Sequence, residues 1–234
     1  MADYTVKRID EMDAAFGGAF KRVRAELGVE SFGVQVLDLP PNLEQFPEHD
    51  HTASGQEEVY VTMRGTGWVE IIEASHAAGL RSTSTVMFGH IEEPWELAEH
   101  LRVVRSLQER TGGLTEFVPL SFIPFHTLLG RTHGIEEISR EENLKHTAAF
   151  RLALGRSVPS LQASWVKMGL DAATEALRWG VNDLGGTLME ESISRMAGSY
   201  HGTMLTPEQL VGAAQAAGRP AAQRDTLYRV LQTY

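Results

Sequence analysis

The sequence predicts an α/β chain in which half of an eightfold βα-type barrel, about four βα units, is fused to a strand-rich, partial β-barrel N-terminal segment. Three observations carry that reading. Residues 32–65 contain short runs rich in β-branched and aromatic residues, closed by Pro40–Pro41 and by Gly65-Thr66-Gly67. At Trp68 the apolar spacing changes to a helical one. Beyond it, strand-like and helix-like segments alternate up to residue 218.

In chain order, residues 12–27 (MDAAFGGAFKRVRAEL) read as a short helix carrying two adjacent glycines, Gly17 and Gly18. SFGVQVLDLPP, with Phe32, Val34, Val36 and Leu37, reads as a strand running into a turn, and EEVYVTMRGTG as a second strand. GWVEII fits either a last barrel strand or a first helical turn, since Trp68, Ile71, Ile72 and Ser75 share a helix face and Gly79 suits a helix end. The domain junction is placed here, giving residues 1–70 and 71–234. STSTVMFG then reads as a strand, and PWELAEHLRVVRSLQERTGG as a long helix with Pro94 near its start and Gly112–Gly113 at its end. TEFVPLSF is a strand, and EENLKHTAAFRLALG a helix after a glycine-containing loop. LQASWVKMG reads as a strand, DAATEALRWG as a helix capped at Asp171, VNDLGGT as a short strand, and TPEQLVGAAQAAG as a helix begun by Thr206 and Pro207.

Composition narrows the function. The net charge of −10, without a basic stripe, argues against a nucleic-acid partner. No apolar leader opens MADYTVKRIDEMD and no window approaches a membrane span, so a cytoplasmic protein without a membrane partner is expected. The chain has no cysteine, which removes disulfides, thiolate metal sites and cysteine-ligated iron–sulfur clusters.

Two sets of residues carry chemistry. His49 and His51, spaced i, i+2, face the same way on an extended strand, and Glu58 follows at the start of a strand that leads to Gly65. Two imidazoles and a carboxylate suit Fe(II), Mn(II), Ni(II) or Zn(II). The other reading is a polar turn. PEHDHTASGQEEVYVTMRG resembles the first metal motif of the cupin family, His-x-His then Glu then Gly. The gap from His51 to Glu58 is longer than the family's, so Glu57 is the alternative carboxylate. A cupin completes its site with a later histidine. His76, His90 and His126 stand in the wrong context for that, so any metal is expected to bind weakly.

The second set lies at the ends of the expected strands: Met87, Gly89 and His90; Pro119 and Ser121; Ser164, Trp165 and Lys167; Asn182, Asp183, Gly185 and Gly186. His90 is the candidate acid/base, against a strand-end surface histidine. Ser164, Lys167, Asn182, Asp183, Gly185, Gly186 and Glu190 are the candidates for holding a polar small molecule, with glycines permitting close backbone approach. Glu190 and Glu191 equally suit a helix start, and Trp165 suits packing.

STSTVMFGHIEEP, HLRVVRSLQERTGGLTEFVPLSF, SWVKMG and NDLGGTLMEESISRMAGSYHG, in that order, closely resemble the C-terminal part of the 5-deazaflavin (FO) synthase family of radical S-adenosylmethionine enzymes. The best match is the branch that joins a tyrosine-derived fragment to 5-amino-6-ribitylaminouracil. The resemblance implies a βα barrel with its site at the strand C-termini, a ribitylaminouracil-like substrate, and a 4Fe–4S cluster with S-adenosylmethionine. The family binds its cluster through a Cys-x-x-x-Cys-x-x-Cys motif, which this sequence lacks. The chain is therefore expected to be inactive alone, and to pair with a partner half-barrel or a second copy of itself. Two other functions compete: a cupin-type metal or small-ligand binder, and a chimera without selected function, joined where GTGWVEI and WVEIIEASH overlap.

Overall fold

A computed structural model describes residues 7–15, 19–28, 36–37, 67–188 and 191–234. The chain divides into two units, Met1–Tyr60 and Val61–Tyr234.

In the first unit a 3-10 turn, Ile9–Glu11, precedes β1 (Ala14–Ala15), β2 (Phe20–Lys21), helix α1 (Val23–Leu27) and β3 (Val36–Leu37). The strands form an antiparallel sheet in the order β1-β2-β3, with Ala14 opposite Lys21 and Phe20 opposite Leu37. The helix expected across residues 12–27 is thus confined to Val23–Leu27. Gly17 and Gly18 fall in the middle of that window, and each costs a helix about 1 kcal/mol relative to alanine. The strand expected around SFGVQVLDLPP is seen at Val36–Leu37. His49, His51, Glu57 and Glu58, and the strand expected over residues 57–66, lie outside the described residues.

The second unit opens with α2 (Gly67–Ala77), so the ambiguous GWVEII segment is helical. Its Trp68, Val69 and Ile72 pack on the core, a tertiary gain that decides between two locally similar conformations. His76 near its end bridges the Thr111 hydroxyl at 2.7 Å and the Ser82 hydroxyl at 2.9 Å, tying this helix to the elements that follow. Strand β4 (Ser82–Phe88) leads into α3 (Pro94–Thr111). Pro94 occupies the first turn of α3, where no amide donor is required, and the Glu93 N–H donates to Glu96 Oε2 at 2.8 Å. Gly112 ends the helix in the left-handed region, φ 62°.

Strand β5 (Leu114–Ser121) follows, then a loop holding the short α4 (Leu128–His133). Helix α5 (Arg140–Leu154) starts from a reciprocal cap: the Glu142 N–H donates to Ser139 Oγ at 3.2 Å and the Ser139 N–H to Glu142 Oε2 at 3.0 Å. Next come β6 (Ser160–Leu161), α6 (Trp165–Met168) and α7 (Leu170–Ala176), then α8 (Ile193–Met196) and α9 (Pro207–Ala216). A hairpin of β7 (Ala222–Arg224) and β8 (Val230–Thr233) comes last.

Strands β4, β5 and β6 are parallel and adjacent in that order, and a single bridge from Gln162 to Asp183 adds the start of a fourth. The strand–helix alternation therefore runs as expected, but three expected elements change. LQASWVKMG is not one strand: Ser164 caps α6, its carbonyl accepting from the Lys167 and Met168 N–H groups at 3.0 and 3.1 Å. VNDLGGT pairs only at Asp183. Helix α7 is capped at Gly169, with Asp171 in its first turn.

The sheet has one covered face and one open one. Phe88 and Phe117 are at most 1% exposed and meet Phe150 of α5 edge-on, at ring separations of 5.3 and 5.8 Å. Val104, Leu107, Leu154, Leu161, Trp165 and Ala173 complete this core. Side chains alternate along a strand, so the opposite face of β4 carries Thr83, Thr85 and Met87, all exposed. Parallel sheets are ordinarily covered on both faces. Over β5 the second face is partly covered by the C-terminal hairpin, whose Arg224 reaches Glu116. No helix among the described residues is long and apolar enough to cross a membrane.

Candidate functional site

At the end of β4 the chain turns at Gly89, φ 81°, where a side chain would meet the Ile138 side chain at 2.8 Å. His90 follows, part-buried against Phe122 with ring centroids 5.8 Å apart. Its Nδ1 lies 2.9 Å from Glu92 Oε2 and 2.7 Å from the Ile91 amide. Glu92 also accepts from the Gly89 and His90 amides. Burial pushes the Glu92 carboxyl up, yet these amide donors outweigh it and hold it below the ordinary carboxylate range. Glu92, unremarked in the sequence, thus fixes the Gly89–His90 backbone, while the His90 ring accepts from the Ile91 amide.

At the ends of β5 and β6, Ser121 and Ser164 are buried, and Lys167 is half-buried on α6. Burial lowers the Lys167 ammonium pKa, while the Glu191 carboxylate opposes the shift. Ser121, Asn143, Thr147, Gln162, Ser164 and Lys167 line a cavity of about 10 Å³. That volume has room for about one water and not for a substrate.

Asn182 and Asp183 are engaged within the chain. Asn182 Oδ1 accepts from the Leu161 amide at 2.8 Å and from Arg151 at 2.9 Å, while its Nδ2 donates to the Pro159 carbonyl at 3.1 Å. Asp183 Oδ1 accepts from the Gly185 N–H at 2.6 Å, and Asp183 Oδ2 pairs with Arg224 Nε. Gly185 sits at φ 73°, and a side chain there would press into Gln162 at 2.8 Å. The Gly186 carbonyl accepts from the buried Trp165 indole at 3.0 Å. The Asp183–Gly186 turn is therefore held on three sides. Glu190 lies outside the described residues.

The described candidates are not all together. The strand order puts His90 beyond the end of one edge strand, β4, and Asp183 on the opposite edge, one residue past the Phe117–Leu161 pair and so in mid-sheet by register. Ser164, Lys167, Gly185 and Gly186 form the closer group, through Trp165. Sequence reasoning missed Arg224, Glu116 and Tyr228. The available signal was Glu116 itself, a carboxylate within the apolar run LTEFVPLSF, which calls for a partner when buried.

Among the described residues no group of three or more histidine or acidic side chains is placed to hold a metal. With no cysteine in the sequence, the chain offers no thiolate for an iron–sulfur cluster, and that group does not fit the residues present.

A parallel sheet whose strands alternate with helices defines an α/β protein built from βα units. The chain belongs to the family described as the CofH/MqnC C-terminal region, whose model matches residues 111–233. It is 49% identical over 166 residues to the FO synthase of Streptomyces coelicolor, covering 69% of this chain and 19% of that protein. It is 46% identical over 165 residues to 5-amino-6-(D-ribitylamino)uracil–L-tyrosine 4-hydroxyphenyl transferase 1 of Methanosarcina mazei, covering 69% and 44%. Against the transferase of Gloeobacter violaceus the identity is 50% over 165 residues, covering 69% and 42%. The chain thus spans less than half the length of these relatives.

Proposed function

We propose that this chain provides the C-terminal half of a βα barrel that binds 5-amino-6-(D-ribitylamino)uracil, and that radical chemistry on tyrosine requires a separate, cysteine-bearing half. The observation that supports this most is the family match over residues 111–233, the stretch that supplies Ser164, Lys167 and the Gly185–Gly186 turn at the strand ends. The uracil and ribityl groups offer many donors and acceptors. Ser164 and Lys167 provide side-chain partners, and the glycines admit the ligand close to backbone N–H and C=O groups. A lysine with a lowered pKa is suited to exchanging a proton with a bound amine. His90, on a backbone turn held by Glu92, stands beyond the end of β4 as an acid/base group for the opposite side of a ligand. The exposed face of β4, carrying Thr83, Thr85 and Met87, is the surface a complementary half-barrel would cover.

The cysteine-free chain, supplied with S-adenosylmethionine, reductant, tyrosine and ribitylaminouracil, is expected to form no coupled product by mass spectrometry. Turnover by the chain alone would refute the division of labour.

A further inference from the structure

The C-terminal hairpin is remote in sequence from the parallel sheet, yet it reaches the sheet through Arg224, which meets Asp183 and Glu116, and through Tyr228, which hydrogen-bonds Glu116. Arg224 Nε pairs with Asp183 Oδ2, and Arg224 Nη2 lies 3.5 Å from Glu116 Oε1. The guanidinium rests 4.0 Å above the ring of Tyr228. Tyr228 adopts φ 63°, a left-handed conformation that costs a non-glycine residue about 1 kcal/mol or more. The turn that imposes it is fixed by Asp225, whose Oδ1 accepts from the Leu227 and Arg229 amides, each at 2.9 Å. Most of the hairpin strands are exposed, so little apolar burial holds it in place. What attaches it to the sheet is the part-buried Arg224 group.

On the other side of that contact, Asp183 uses its second oxygen to hold the Gly185 amide. Both of its oxygens are therefore occupied, one by the turn and one by the hairpin. We propose that Arg224 is a positioning residue. Braced on Tyr228, it fixes the Asp183 carboxylate and through it the Asp183–Gly186 turn, making the C-terminal hairpin part of the ligand site. This rests on the proposed binding of ribitylaminouracil at that turn. It also assigns Asp183 the work of shaping the turn in place of contacting the ligand.

Amide hydrogen exchange on the full chain, read alongside calorimetric titration with 5-amino-6-(D-ribitylamino)uracil, tests the assignment. Loss of a charge-assisted hydrogen bond corresponds to about tenfold or more. Arg224→Gln is expected to speed exchange at residues 185–188 by about that factor and to weaken binding similarly, with β4, which Arg224 does not touch, unchanged. Arg224→Lys, which keeps the charge but not the stacked fork, should recover part of both losses. Wild-type exchange at 185–188 in Arg224→Gln would overturn the proposal, as would acceleration spread evenly over the whole unit. Local loosening in Arg224→Gln, combined with no binding by the wild type, would support the brace and reject the ligand reading.

Discussion

Replacing Phe117 with alanine is expected to destabilise the second unit by about 3–5 kcal/mol, the usual cost of emptying a buried phenylalanine site. Phe117 lies on β5, the central strand of the parallel sheet, and is 0% exposed. Its ring meets Phe150 edge-on and lies 6.0 Å from the His100 ring, so it joins the sheet to both α3 and α5. Helix α5 cannot slide in to fill the space without losing its contact with β4, since Phe88 packs on the same Phe150 ring. A domain of this size is stable by only about 5–15 kcal/mol, so the loss takes a large fraction of the total. Thermal unfolding should show a midpoint lowered by roughly 10 °C. A cost under about 1 kcal/mol would mean that this ring is not at the centre of the core.

The second large effect depends on pH. Glu116 is 3% exposed on β5, and burial, followed by the neighbouring Asp183 carboxylate, pushes its pKa up to about 7. The folded-state pKa lies above the unfolded value, so the folded state favours the protonated form. The stability this group contributes is complete below the unfolded value near 4.5 and is lost as pH rises through about 7. Above that, ionised Glu116 costs up to about 3 kcal/mol, from the size of the shift. Arg224, already paired with Asp183, only partly compensates. Glu116→Gln supplies a neutral side chain of the same shape. It should be more stable than the wild type at pH 8 and converge with it near pH 4.5 in denaturant titrations. A variant equal to or weaker than the wild type at pH 8 would show that the ionised carboxylate is well compensated.

The parts of this fold that could be read from sequence were those with long, regular patterns and explicit end signals. Strands β4 and β5 and helices α3 and α5 belong here, with Pro94, Gly112 and the Ser139–Glu142 cap marking their ends. The short elements were harder for physical reasons. In LQASWVKMG, Leu161, Ala163 and Trp165 alternate as a strand would, and all three are buried. They remain buried when Ser164 starts a helix, so the pattern does not distinguish the two. VNDLGGT stops short as a strand: Asn182 and Asp183 bond the Leu161 and Ala163 backbone, and Gly185 then turns the chain. The hairpin β7–β8 has little buried apolar pattern to betray it.

The candidate site is legible as a set of residue types near strand ends, but not as partnerships. Asn182 and Asp183 read from sequence as polar groups for a ligand, and the structure gives both partners inside the chain. Asn182 is held by Arg151, distant in sequence, and Asp183 by Arg224, 41 residues away. No local pattern encodes such pairings. Lys167 is marked in the sequence only by its position, and its half-burial is what the fold adds.

The central claim, that these strand ends hold ribitylaminouracil without the radical half, is tested most directly by calorimetric titration of the purified chain with that compound. The wild type should bind with a single saturating transition, and Lys167→Ala should weaken binding about tenfold, the loss expected for a hydrogen bond to a charged group. No binding by the folded wild type, or binding that Lys167→Ala leaves unchanged, would contradict the account.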